Sequence, residues 1–495
     1  MSIYDAKDLP DADIETDVAI LGSGPAGLTL ASKLNSDCVV IESGHWNFDA
    51  KNHHEFHSIN AGETTEVDTL RVRGIGGASL RWSGRCIALD DYDFEEREWI
   101  TAAGWPIARH ELDEDYDEAL RLMGISDTES VRFANHAPLA AATRDDHELR
   151  HCHWLFADRK PGGMLRFGAK FRGEFKRPGK HLIYNAHCVE IVQEAKQVRA
   201  LKVIDRSGRR LTIKARRFVI ASGCVESCRL LLALDRDNAE ALGEVRSWLG
   251  RGFMQHLRLD AGTVRPDPQQ FDPIQRMFNI FHKPGCNSQE FGLSLAPSFA
   301  RQKRVGNASI ILRYVPQRSL SPFDWTPSIE GRLLGQTPYF RRASVMVEID
   351  TEQAVTQSSF IGLAEQKDKY GQPRALVHWT IEEVDRLTGF EAMRAFGRFL
   401  RRNGFGVLDE CPEITPDAIS PTCRRDTLHQ LGGTRMSDSA ATGVVDRNLK
   451  VHGTANLWVV GGSVFATGGH ANPTLTIVAL ALRLAKHLGG EGRAR

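Results

Sequence analysis

One short unit near the start of the chain limits the fold more than any other stretch. Residues 17–21, DVAIL, are typical of a buried strand, and the glycine-rich turn GSGPAG follows over residues 22–27. The apolar-periodic stretch LTLASKL predicts a helix, and residues 38–42, CVVIE, predict a second strand that ends in an acid. This order forms the dinucleotide-binding half of a parallel sheet. The sequence therefore predicts an α/β fold with a Rossmann-type domain.

The residues of this unit have separate physical roles. Gly22 permits the tight turn, Gly24 lets the backbone approach a pyrophosphate, and Gly27 lets the helix pack closely on the strand. Unpaired N–H groups at the helix N-terminus suit phosphate oxygens. Glu42 follows Gly22 by 20 residues and can accept hydrogen bonds from ribose hydroxyls, which disfavours the 2′-phosphate of NADP. The unit alone leaves NAD and FAD open.

Segments that suit the same domain recur far along the chain. Residues 71–85, RVRGIGGASLRWSGR, contain four glycines and are typical of a loop whose backbone lies close to a flat or phosphorylated ligand. Further segments predict a strand, a strand, a helix and a strand that runs into glycines, at 182–192, 211–223, 224–234 and 455–469. The nucleotide domain is therefore expected to be assembled from separated pieces.

Length and composition exclude several function classes. The chain has 495 residues, more than a single hydrophobic core usually supports, so two domains are expected. Lys plus Arg and Asp plus Glu both number 63, which gives no reason to expect nucleic acid or an anionic membrane as partner. No apolar run reaches the ~20 residues of a membrane span, and the polar N-terminus lacks a secretory h-region. The nine irregularly spaced cysteines are interpreted as reduced thiols, which predicts a cytoplasmic protein.

Two short stretches carry metal-ligating residue types. HHEFH, residues 53–57, places His53 and His57 four positions apart, and HCH, residues 151–153, groups three ligands. Neither stretch has a second ligand group at a zinc-like spacing. No metal site is predicted.

The stretch GGHANPTLTIVAL, residues 468–480, places two polar residues just before a helix. Pro473 suits the first helical position, and apolar residues on nearly every face afterwards predict a buried helix. His470 and Asn472 are therefore expected near the positive end of the helix dipole. Asn472 suits an N-cap, and His470 suits either a structural role or the wall of a pocket.

Five segments together resemble the glucose–methanol–choline (GMC) oxidoreductases, a family of FAD-dependent alcohol oxidases and dehydrogenases. They are DVAILGSGPAGLTLASKL with VVIESG, RGIGGASLRW, FVIASGCVESCRLLL, LGRGFMQH, and the C-terminal block from HQLGGTRMS to ALALRLAKHL. The resemblance covers most of the chain. It implies an FAD-binding domain made of residues 1–264 and 426–495, and a substrate domain of residues 265–425 built on a mostly antiparallel sheet.

The resemblance also implies that FAD is the cofactor and which residues of this chain contact it. They are Gly22, Gly24, Pro25, Ala26, Gly27, Glu42, Ser43, Arg73, Gly76, Gly77, Ser79, Trp82, Val189, Ser222, Gly223, Gly461, Gly462, Asn472, Pro473 and Thr474. Some pyranose oxidases bind flavin covalently through a histidine just before the tryptophan of the Gly-Gly-x-Ser loop. Arg81 occupies that position here, so non-covalent FAD is expected.

The family's catalytic pair maps onto two positions of this chain. The histidine of its H-x-x-G-G-T segment corresponds to His429, and the histidine or asparagine before its last helix corresponds to Asn472. His429 is implied to take the hydroxyl proton as hydride leaves carbon for the flavin, since histidine starts with a pKa near ambient pH. Asn472 is implied to hydrogen-bond the substrate oxygen. His470 is a second candidate for the pocket.

The sub-pattern HxLGGT with NPTLT is more similar to the pyranose-oxidase and cholesterol-oxidase branches than to the glucose-oxidase branch. The function implied is FAD-dependent oxidation of an alcohol, a secondary, sugar-like or cyclic-polyol hydroxyl, to a carbonyl. A non-redox FAD-containing lyase of the same family and a catalytically silent FAD-binding protein fit the same motifs. Oxygen, a quinone or a carrier protein all suit as electron acceptor, so oxidase and dehydrogenase both stay open.

Residues 265–425 lack glycine-rich nucleotide signals. Strand-like segments there predict a mostly antiparallel sheet, and they lie at 307–315, 342–350, 358–364 and 375–381. Residues 385–402 predict a helix behind the sheet. Trp379 and His378 are interpreted as core or sheet-face residues. The basic run at 159–180 suits a phosphorylated or acidic substrate or, as the favoured interpretation, a solvated helix that leads into the strand at 182–192.

Overall fold

The computed structural model describes residues 2–46, 56–63, 67–69, 71–102, 104–125, 136–157, 164–238, 241–282, 287–316, 336–337 and 343–491. Several sheets pack with helices in a mixed α/β fold. The strands are β1 (Ile3–Asp5), β2 (Ile14–Leu21), β3 (Cys38–Ile41), β4 (Ile59–Gly62), β5 (Arg85–Cys86), β6 (Leu149–Phe156), β7 (Lys180–Tyr184), β8 (His187–Glu194), β9 (Gln197–Ile204), β10 (Arg210–Ile220), β11 (Leu257–Pro266), β12 (Ile280–Phe281), β13 (Gln289–Leu295), β14 (Ala308–Pro316), β15 (Gln336–Thr337), β16 (Ala343–Thr351), β17 (Phe360–Lys367), β18 (Pro373–Trp379), β19 (Gly406–Glu410), β20 (Arg424–Asp426) and β21 (Leu457–Val459). The helices are α1 (Pro25–Lys33), α2 (Asp91–Phe94), α3 (Asp113–Met123), α4 (His136–Thr143), α5 (Phe167–Phe171), α6 (Cys224–Asp237), α7 (Phe271–Met277), α8 (Pro297–Lys303), α9 (Glu383–Arg402) and α10 (Thr474–Glu491).

The first sheet has the strand order β1-β7-β3-β2-β10-β9-β8, with β21 beside β10. Strands β1, β7, β3, β2 and β10 pair in parallel in that order, and β21 is parallel to β10. Strand β9 is antiparallel to both of its neighbours, β10 and β8. Every residue of β3 and the last four of β2 are buried, as expected for parallel strands covered on both faces. Strands that are far apart in sequence are thus neighbours here. The predicted strand–turn–helix–strand unit is confirmed as β2, α1 and β3.

One predicted strand is wrong in its extent. The sequence predicts one continuous strand over residues 182–192, but the chain forms two strands, β7 and β8, that separate at Asn185. Asn185 has φ 56°, a left-handed conformation that asparagine tolerates better than most residues. Its side-chain Nδ2 donates to Asp5 Oδ2 at 2.8 Å, and its N–H donates to the Gly44 carbonyl at 3.0 Å. The break therefore turns the residues after it towards the end of β3.

The second sheet has ten strands, in the order β15-β12-β13-β14-β16-β11-β19, with β20 on β11 and with β6 and β5 added at β13. All of these pairings are antiparallel, as predicted. The buried side of α9 presents Phe396 and Phe399 to a core shared with this sheet. Strands β5, β6 and the start of β11 precede residue 265, so the sheet draws on both sides of the predicted domain boundary. That boundary stays a prediction.

Two of the four predicted strands do not belong to the ten-stranded sheet. Segments 358–364 and 375–381 form β17 and β18, which build a separate three-stranded sheet with β4. The tight turn between them is held by Asp368, whose Oδ1 accepts the N–H groups of Tyr370 and Gln372, both at 2.9 Å. Trp379 is buried and donates to Gln353 Oε1 at 2.8 Å. The interpretation of Trp379 as a core residue is confirmed.

The basic run is not one solvated helix. Residues 158–163 lie outside the described part, and the remainder forms the short helix α5 followed by a 3-10 turn at Glu174–Lys176. Phe167, Phe171 and Phe175 are buried among apolar residues. These aromatic side chains interrupt the positive charges and anchor the segment, which is why the predicted solvated helix is wrong.

The sequence predicts no disulfide, no metal site and no membrane-spanning helix. The eight described cysteines are free thiols. No metal-binding group of three His, Cys, Asp or Glu side chains occurs among the described residues, although His53 lies outside them. In the part of the chain that the structure covers, no helix combines the length and the apolar character needed to cross a membrane.

Candidate active site

A cavity of about 530 Å³ lies at the carboxyl ends of the parallel strands. Residues that follow β3, β2, β10 and β21 line it, namely Glu42, Gly22, Ser222 and Gly461. Neighbouring strands lie ~4.8 Å apart, so the cavity crosses roughly 14 Å of the sheet edge from β3 to β21. The volume is in the range of small-molecule and cofactor sites. We call the part beside Glu42 the nucleotide end.

The opposite part of the cavity lies beyond β21. The segment that carries His429 is bound there because the Gly432 N–H donates to the Gly462 carbonyl at 3.0 Å. His429 and Asn472 both line this part. We call it the catalytic end.

The glycine turn at the nucleotide end has the geometry that the sequence predicts. Gly22 has φ 104°, and a Cβ there would lie 2.4 Å from the Ala221 carbonyl oxygen. A Cβ on Gly27 would lie 2.0 Å from the Gly22 carbonyl oxygen. A Cβ on Gly24, the N-cap of α1, would meet no protein atom within 4 Å. Gly22 and Gly27 are thus required by packing, whereas Gly24 leaves room on the cavity side.

Glu42 joins the turn to the end of β3. Its Oε2 accepts from Ser23 Oγ at 2.6 Å and from the Ser23 N–H at 3.1 Å. Its Oε1 accepts from the Gly44 N–H at 2.8 Å. The side chain is only 6% exposed. The acid therefore holds the glycine turn against β3 and also presents negative charge to the nucleotide end.

The loop over residues 71–85 covers the turn. A Cβ on Gly77 would lie 2.9 Å from Gly24 Cα, so the two glycine-rich segments are in direct contact. Arg73 donates to Ser43 Oγ at 3.2 Å and pairs with Glu226 at 3.1 Å. Burial opposes ionisation of Glu226, but Arg229 and Arg73 outweigh it and hold its pKa well below the usual range. The loop is thus tied to α6 by an ion-pair cluster.

Most of the predicted site residues line this one cavity. They are Gly22, Gly24, Pro25, Ala26, Glu42, Ser43, Arg73, Gly77, Trp82, Ser222, Gly223, His429, Gly461, Gly462, Asn472, Pro473 and Thr474. The predicted residues that do not line it are Gly27, Gly76, Ser79, Val189 and His470. Ser79 and Gly76 instead bond each other, from Oγ to the carbonyl oxygen at 2.6 Å. Val189 lies on β8, and the preceding residues Ala186, His187 and Cys188 reach the cavity in its place.

His429 is the centre of a hydrogen-bonded cluster at the catalytic end. Asn472 Nδ2 lies 3.2 Å from His429 Nε2. The other ring nitrogen, Nδ1, lies 3.0 Å from both Thr427 Oγ1 and His256 Nδ1. The preceding Leu428 has φ 62°, an uncommon left-handed conformation for a bulky residue that costs roughly 1–2 kcal/mol. This turn holds the imidazole of His429 at the cavity wall.

Both histidines of the cluster are neutral near pH 7. Burial, and next the neighbouring His256, lowers the pKa of His429 well below its usual value, while Asp350 acts against this and Arg258 and Arg85 reinforce it. Burial lowers the pKa of His256 to about 4. A neutral imidazole has one N–H and one lone pair. His429 can therefore act as a proton acceptor without first losing a proton.

Charged side chains form the wall beside this cluster. Arg258 lines the cavity and pairs with Asp350 through Nε and Nη2, at 2.5 and 2.6 Å. Arg85 also lines it, with Nε 2.9 Å from Glu290 Oε2 and the guanidinium 3.9 Å from the Trp154 ring centroid. Gln430 completes the polar part of the wall. The catalytic end thus offers several hydrogen-bonding groups in addition to His429.

His470 faces away from the cavity. It is 3% exposed, and its Nε2 lies 3.3 Å from Asp90 Oδ2. Its ring packs edge-on against Trp154, with centroids 6.5 Å apart. These contacts agree with the structural role, the first of the two options for this residue.

Sequence reasoning missed several residues of the catalytic end, namely His256, Arg258, Arg85, Thr427 and Gln430. His256 ends the segment LGRGFMQH, which contributed to the family resemblance, and Arg85 ends the glycine-rich loop of residues 71–85, but neither side chain was given a role. The order of the segments was a signal that they belong to the site. The contacts themselves depend on pairing between distant segments, which a single sequence does not contain.

The cavity suits a long ligand that carries both phosphate groups and a flat ring system. Gly24, Gly223 and Gly461 all line it, and a Cβ at any of them would meet no protein atom within 4 Å. The N-terminal residues of α1 and α10 also line it, so two positive helix ends face the same space. Open backbone, helix N-termini and an acid beside β3 together fit FAD.

Comparison with known proteins agrees with this geometry. Residues 355–481 match the family model described as GMC oxidoreductase. Paromamine 6′-oxidase from Streptomyces fradiae is 23% identical to this chain, over 98% of this chain and 94% of its own length. Over residues 355–481 the chain is thus similar to the GMC oxidoreductases. A C-glycoside 3-oxidase from Microbacterium trichothecenolyticum is 25% identical, over 96% of this chain and 97% of its own length.

The fold of the chain also resembles solved structures. Pyridoxine 4-oxidase from Mesorbium loti superposes with a TM-score of 0.57 at 18% identity, over 95% of this chain and 99% of that one. At this identity the likeness concerns the fold alone. It covers far more of the chain than the region that the family model matches.

Proposed function

We propose that the protein is a GMC oxidoreductase that uses FAD to oxidise an alcohol to a carbonyl compound. The observation that carries the proposal is the 3.2 Å contact between Asn472 Nδ2 and His429 Nε2 at the wall of a cavity that also contains the glycine turn. A proton acceptor and a hydrogen-bond donor are thus held together beside a site that suits a dinucleotide. The full-length relatives with oxidase names support the same reaction class.

In this proposal FAD, when bound, accepts the hydride that leaves the substrate carbon. His429 takes the hydroxyl proton on Nε2, because the neutral ring has its lone pair there when Asn472 Nδ2 donates to it. Asn472 has a second N–H, which can donate to the substrate oxygen as negative charge develops on it. Holding the hydroxyl between the two groups orients the reacting carbon.

The cofactor is proposed to bind without a covalent bond, in a nucleotide domain of Rossmann type. The α1 N-terminus and Gly24 would hold the pyrophosphate, Glu42 and Ser43 would lie beside the ribose, and the α10 N-terminus would lie near the ring system. Arg81 lines the cavity where some pyranose oxidases have a linking histidine. A guanidinium does not form that bond.

The substrate is proposed to be hydroxyl-rich, such as a sugar or cyclic polyol. Arg85 is 8% exposed and its Nη2 has no hydrogen-bond partner among the described residues. Gln430 and Thr427 line the same wall. A molecule with several hydroxyls can satisfy such groups, and a buried donor without a partner costs about 1–3 kcal/mol. The relatives named for paromamine and for a C-glycoside point to the same chemical class.

Two predictions from the sequence stay open. The electron acceptor is undecided between oxygen, a quinone and a carrier protein. The cytoplasmic location is proposed on the free thiols alone.

Anaerobic reduction of the purified protein tests the function. The protein is mixed without oxygen with a panel of sugars, cyclic polyols and simple alcohols, and the visible flavin absorbance is followed. Bleaching by a hydroxyl-rich compound supports the proposal, and bleaching only by simple alcohols contradicts the substrate class. Absence of bleaching together with cleavage of a cyanohydrin indicates the lyase, and no reaction at all indicates a silent flavoprotein. Admitting oxygen afterwards separates a rapidly reoxidised oxidase from a dehydrogenase.

A further inference from the structure

His256 is buried behind His429, on the side away from Asn472. It is 1% exposed and immediately precedes β11. Its Nδ1 lies 3.0 Å from His429 Nδ1, and its Nε2 lies 3.4 Å from the Gly468 carbonyl oxygen. The ring planes meet at 77° with centroids 5.0 Å apart. The ring of His256 therefore connects the segment of His429 to the segment that contains Asn472.

The hydrogen bonds of this group allow one consistent arrangement of protons. Asn472 Nδ2 donates to His429 Nε2, so this nitrogen has a lone pair and the N–H of the neutral ring is on Nδ1. Two ring nitrogens at 3.0 Å attract each other when only one of them carries hydrogen. His256 Nδ1 is therefore the acceptor, and its own N–H on Nε2 donates to the Gly468 carbonyl.

Thr427 supports the same arrangement. Its hydroxyl donates to the His256 carbonyl oxygen at 3.3 Å. The oxygen of that hydroxyl lies 3.0 Å from His429 Nδ1 and can accept from it. The N–H of His429 thus has two acceptors, of which His256 is the one that also reaches the Gly468 backbone.

We propose that His256 is a positioning residue, which holds His429 in the tautomer with hydrogen on Nδ1 and its lone pair on Nε2. The proposal rests on the proposed function, in which His429 is the base. When the substrate O–H bond breaks, its electron pair stays on oxygen and the proton forms a bond to His429 Nε2. The Nδ1–H of the resulting imidazolium remains directed at the lone pair of His256, so the ring keeps its orientation during the transfer.

The tautomer of His429 is held by hydrogen bonding and ring orientation, not by the charged groups around it. The groups that act on His256 are Asp350, His470 and Glu352. Asp350 is paired with Arg258 and Glu352 with Arg97. Arg85 and Arg258 act on His429. The carboxylates nearest the histidine pair are thus already neutralised by arginines, and no free carboxylate among the described residues takes the place of His256 behind His429.

Two substitutions at His256 separate positioning from packing. His256→Asn places an amide oxygen close to the position of Nδ1, so an acceptor for His429 is kept. His256→Leu keeps a similar volume and removes the acceptor. We expect His256→Leu to lower kcat about 10–100-fold with little change in KM, and His256→Asn to recover most of the loss.

The FAD content and the melting temperature are measured for both variants. Equal loss of activity in both, with loss of FAD, would show that His256 only packs, and unchanged kcat in His256→Leu would also overturn the proposal.

A measurement on the resting protein does not depend on turnover. ¹⁵N NMR of histidine-labelled protein, with His429 assigned by difference from a His429→Gln variant, reports which ring nitrogen carries hydrogen. We expect hydrogen on Nδ1 in the parent protein and a mixture of tautomers in His256→Leu. Hydrogen on Nε2 in the parent would overturn the proposal even if alcohols reduce the flavin. The expected tautomer in a protein that reduces with no alcohol would leave the positioning intact and overturn the proposed function instead.

Discussion

The two ends of the cavity are built in different ways. At the nucleotide end, backbone atoms make the shape. A Cβ on Gly27 would lie 2.0 Å from the Gly22 carbonyl oxygen of the same turn, and a Cβ on Gly22 would lie 2.4 Å from the Ala221 carbonyl oxygen after β10. At the catalytic end, side chains from distant segments converge, including His256, His429 and Asn472. The first construction depends on close backbone contacts and the second on side-chain hydrogen bonds. The nucleotide end should therefore respond to substitutions through binding and stability, and the catalytic end through rate.

Replacing the base should have the largest effect on rate. We expect His429→Ala to reduce kcat by about 10²–10⁴-fold, the range for loss of a general base, while FAD content stays near that of the parent protein. Stopped-flow measurement of anaerobic flavin reduction gives the rate. Turnover at the parent rate would contradict the role of His429 and with it the rate-based character of the catalytic end.

Replacing the amide should have a smaller effect on the same step. We expect Asn472→Ala to lower the rate of flavin reduction about 100-fold, since one hydrogen bond to the developing negative charge is lost. Asn472→Asp is the matched control for size, and it should not recover the rate because an ionised carboxylate cannot donate. Recovery by the Asp variant would assign Asn472 to packing or capping.

Two glycine substitutions separate packing from cofactor binding at the nucleotide end. Gly27→Ala places a methyl against the Gly22 carbonyl and should lower the free energy of unfolding by about 1–3 kcal/mol, together with FAD content. Gly24→Ala meets no protein atom within 4 Å, so the melting temperature of the apoprotein should stay constant while the Kd for FAD rises about tenfold or more. Differential scanning calorimetry and FAD titration of the apoproteins give the two quantities. Equal FAD affinity in Gly24→Ala and the parent would show that the cofactor does not approach this backbone.

The pH profile of kcat/KM reports the catalytic end alone. The pKa of His429 is lowered, so the ring is already a base at pH 7 and loses activity only as pH falls through that lowered pKa. We expect a flat profile between pH 7 and 8 and an acid limb below 6.5, the usual pKa of histidine. An acid limb above 6.5 would mean that a neighbouring charge outweighs burial.

The smallest of these effects should be on the free energy of unfolding at acid pH. His256 has a pKa of about 4 in the folded chain against about 6.5 when unfolded. Between these values the unfolded chain binds a proton that the folded chain does not, so the stability present above pH 6.5 is lost as pH falls towards 4. The slope for one proton is at most about 1.4 kcal/mol per pH unit. Urea unfolding across this range should show a shallower slope in His256→Asn than in the parent, and equal slopes would mean that other groups carry the acid response.

The sequence predicted the nucleotide end because its requirements leave a pattern within one short stretch of the chain. Residues that need a left-handed turn or a close contact must be glycine, and the acid that follows the second strand lies at a fixed distance along the chain. His429 and Asn472 were placed through the family resemblance. His256 was not predicted, because it reaches His429 only through pairing of distant backbone, with Met254 N–H donating to Leu431 O and Leu431 N–H to Met254 O, both at 2.9 Å.

The fold shows the same limit. The break at Asn185 and the departure of β17 and β18 from the large sheet depend on partners far along the chain, namely Asp5 and Gly44 for the first and β4 for the second. Strand periodicity predicts that such segments are extended. It does not determine which strand each segment pairs with.

The order of strands in the first sheet has a consequence for biosynthesis. β21 pairs with β10, and α10 packs against α1, so the first sheet and the helix layer beside it are completed by residues 457–491. A ribosome must release nearly the whole polypeptide before that wall can close. Cofactor capture therefore follows translation, and a chain that stops before β21 retains the glycine turn but has neither the second helix end nor the strand beside which His429 is bound.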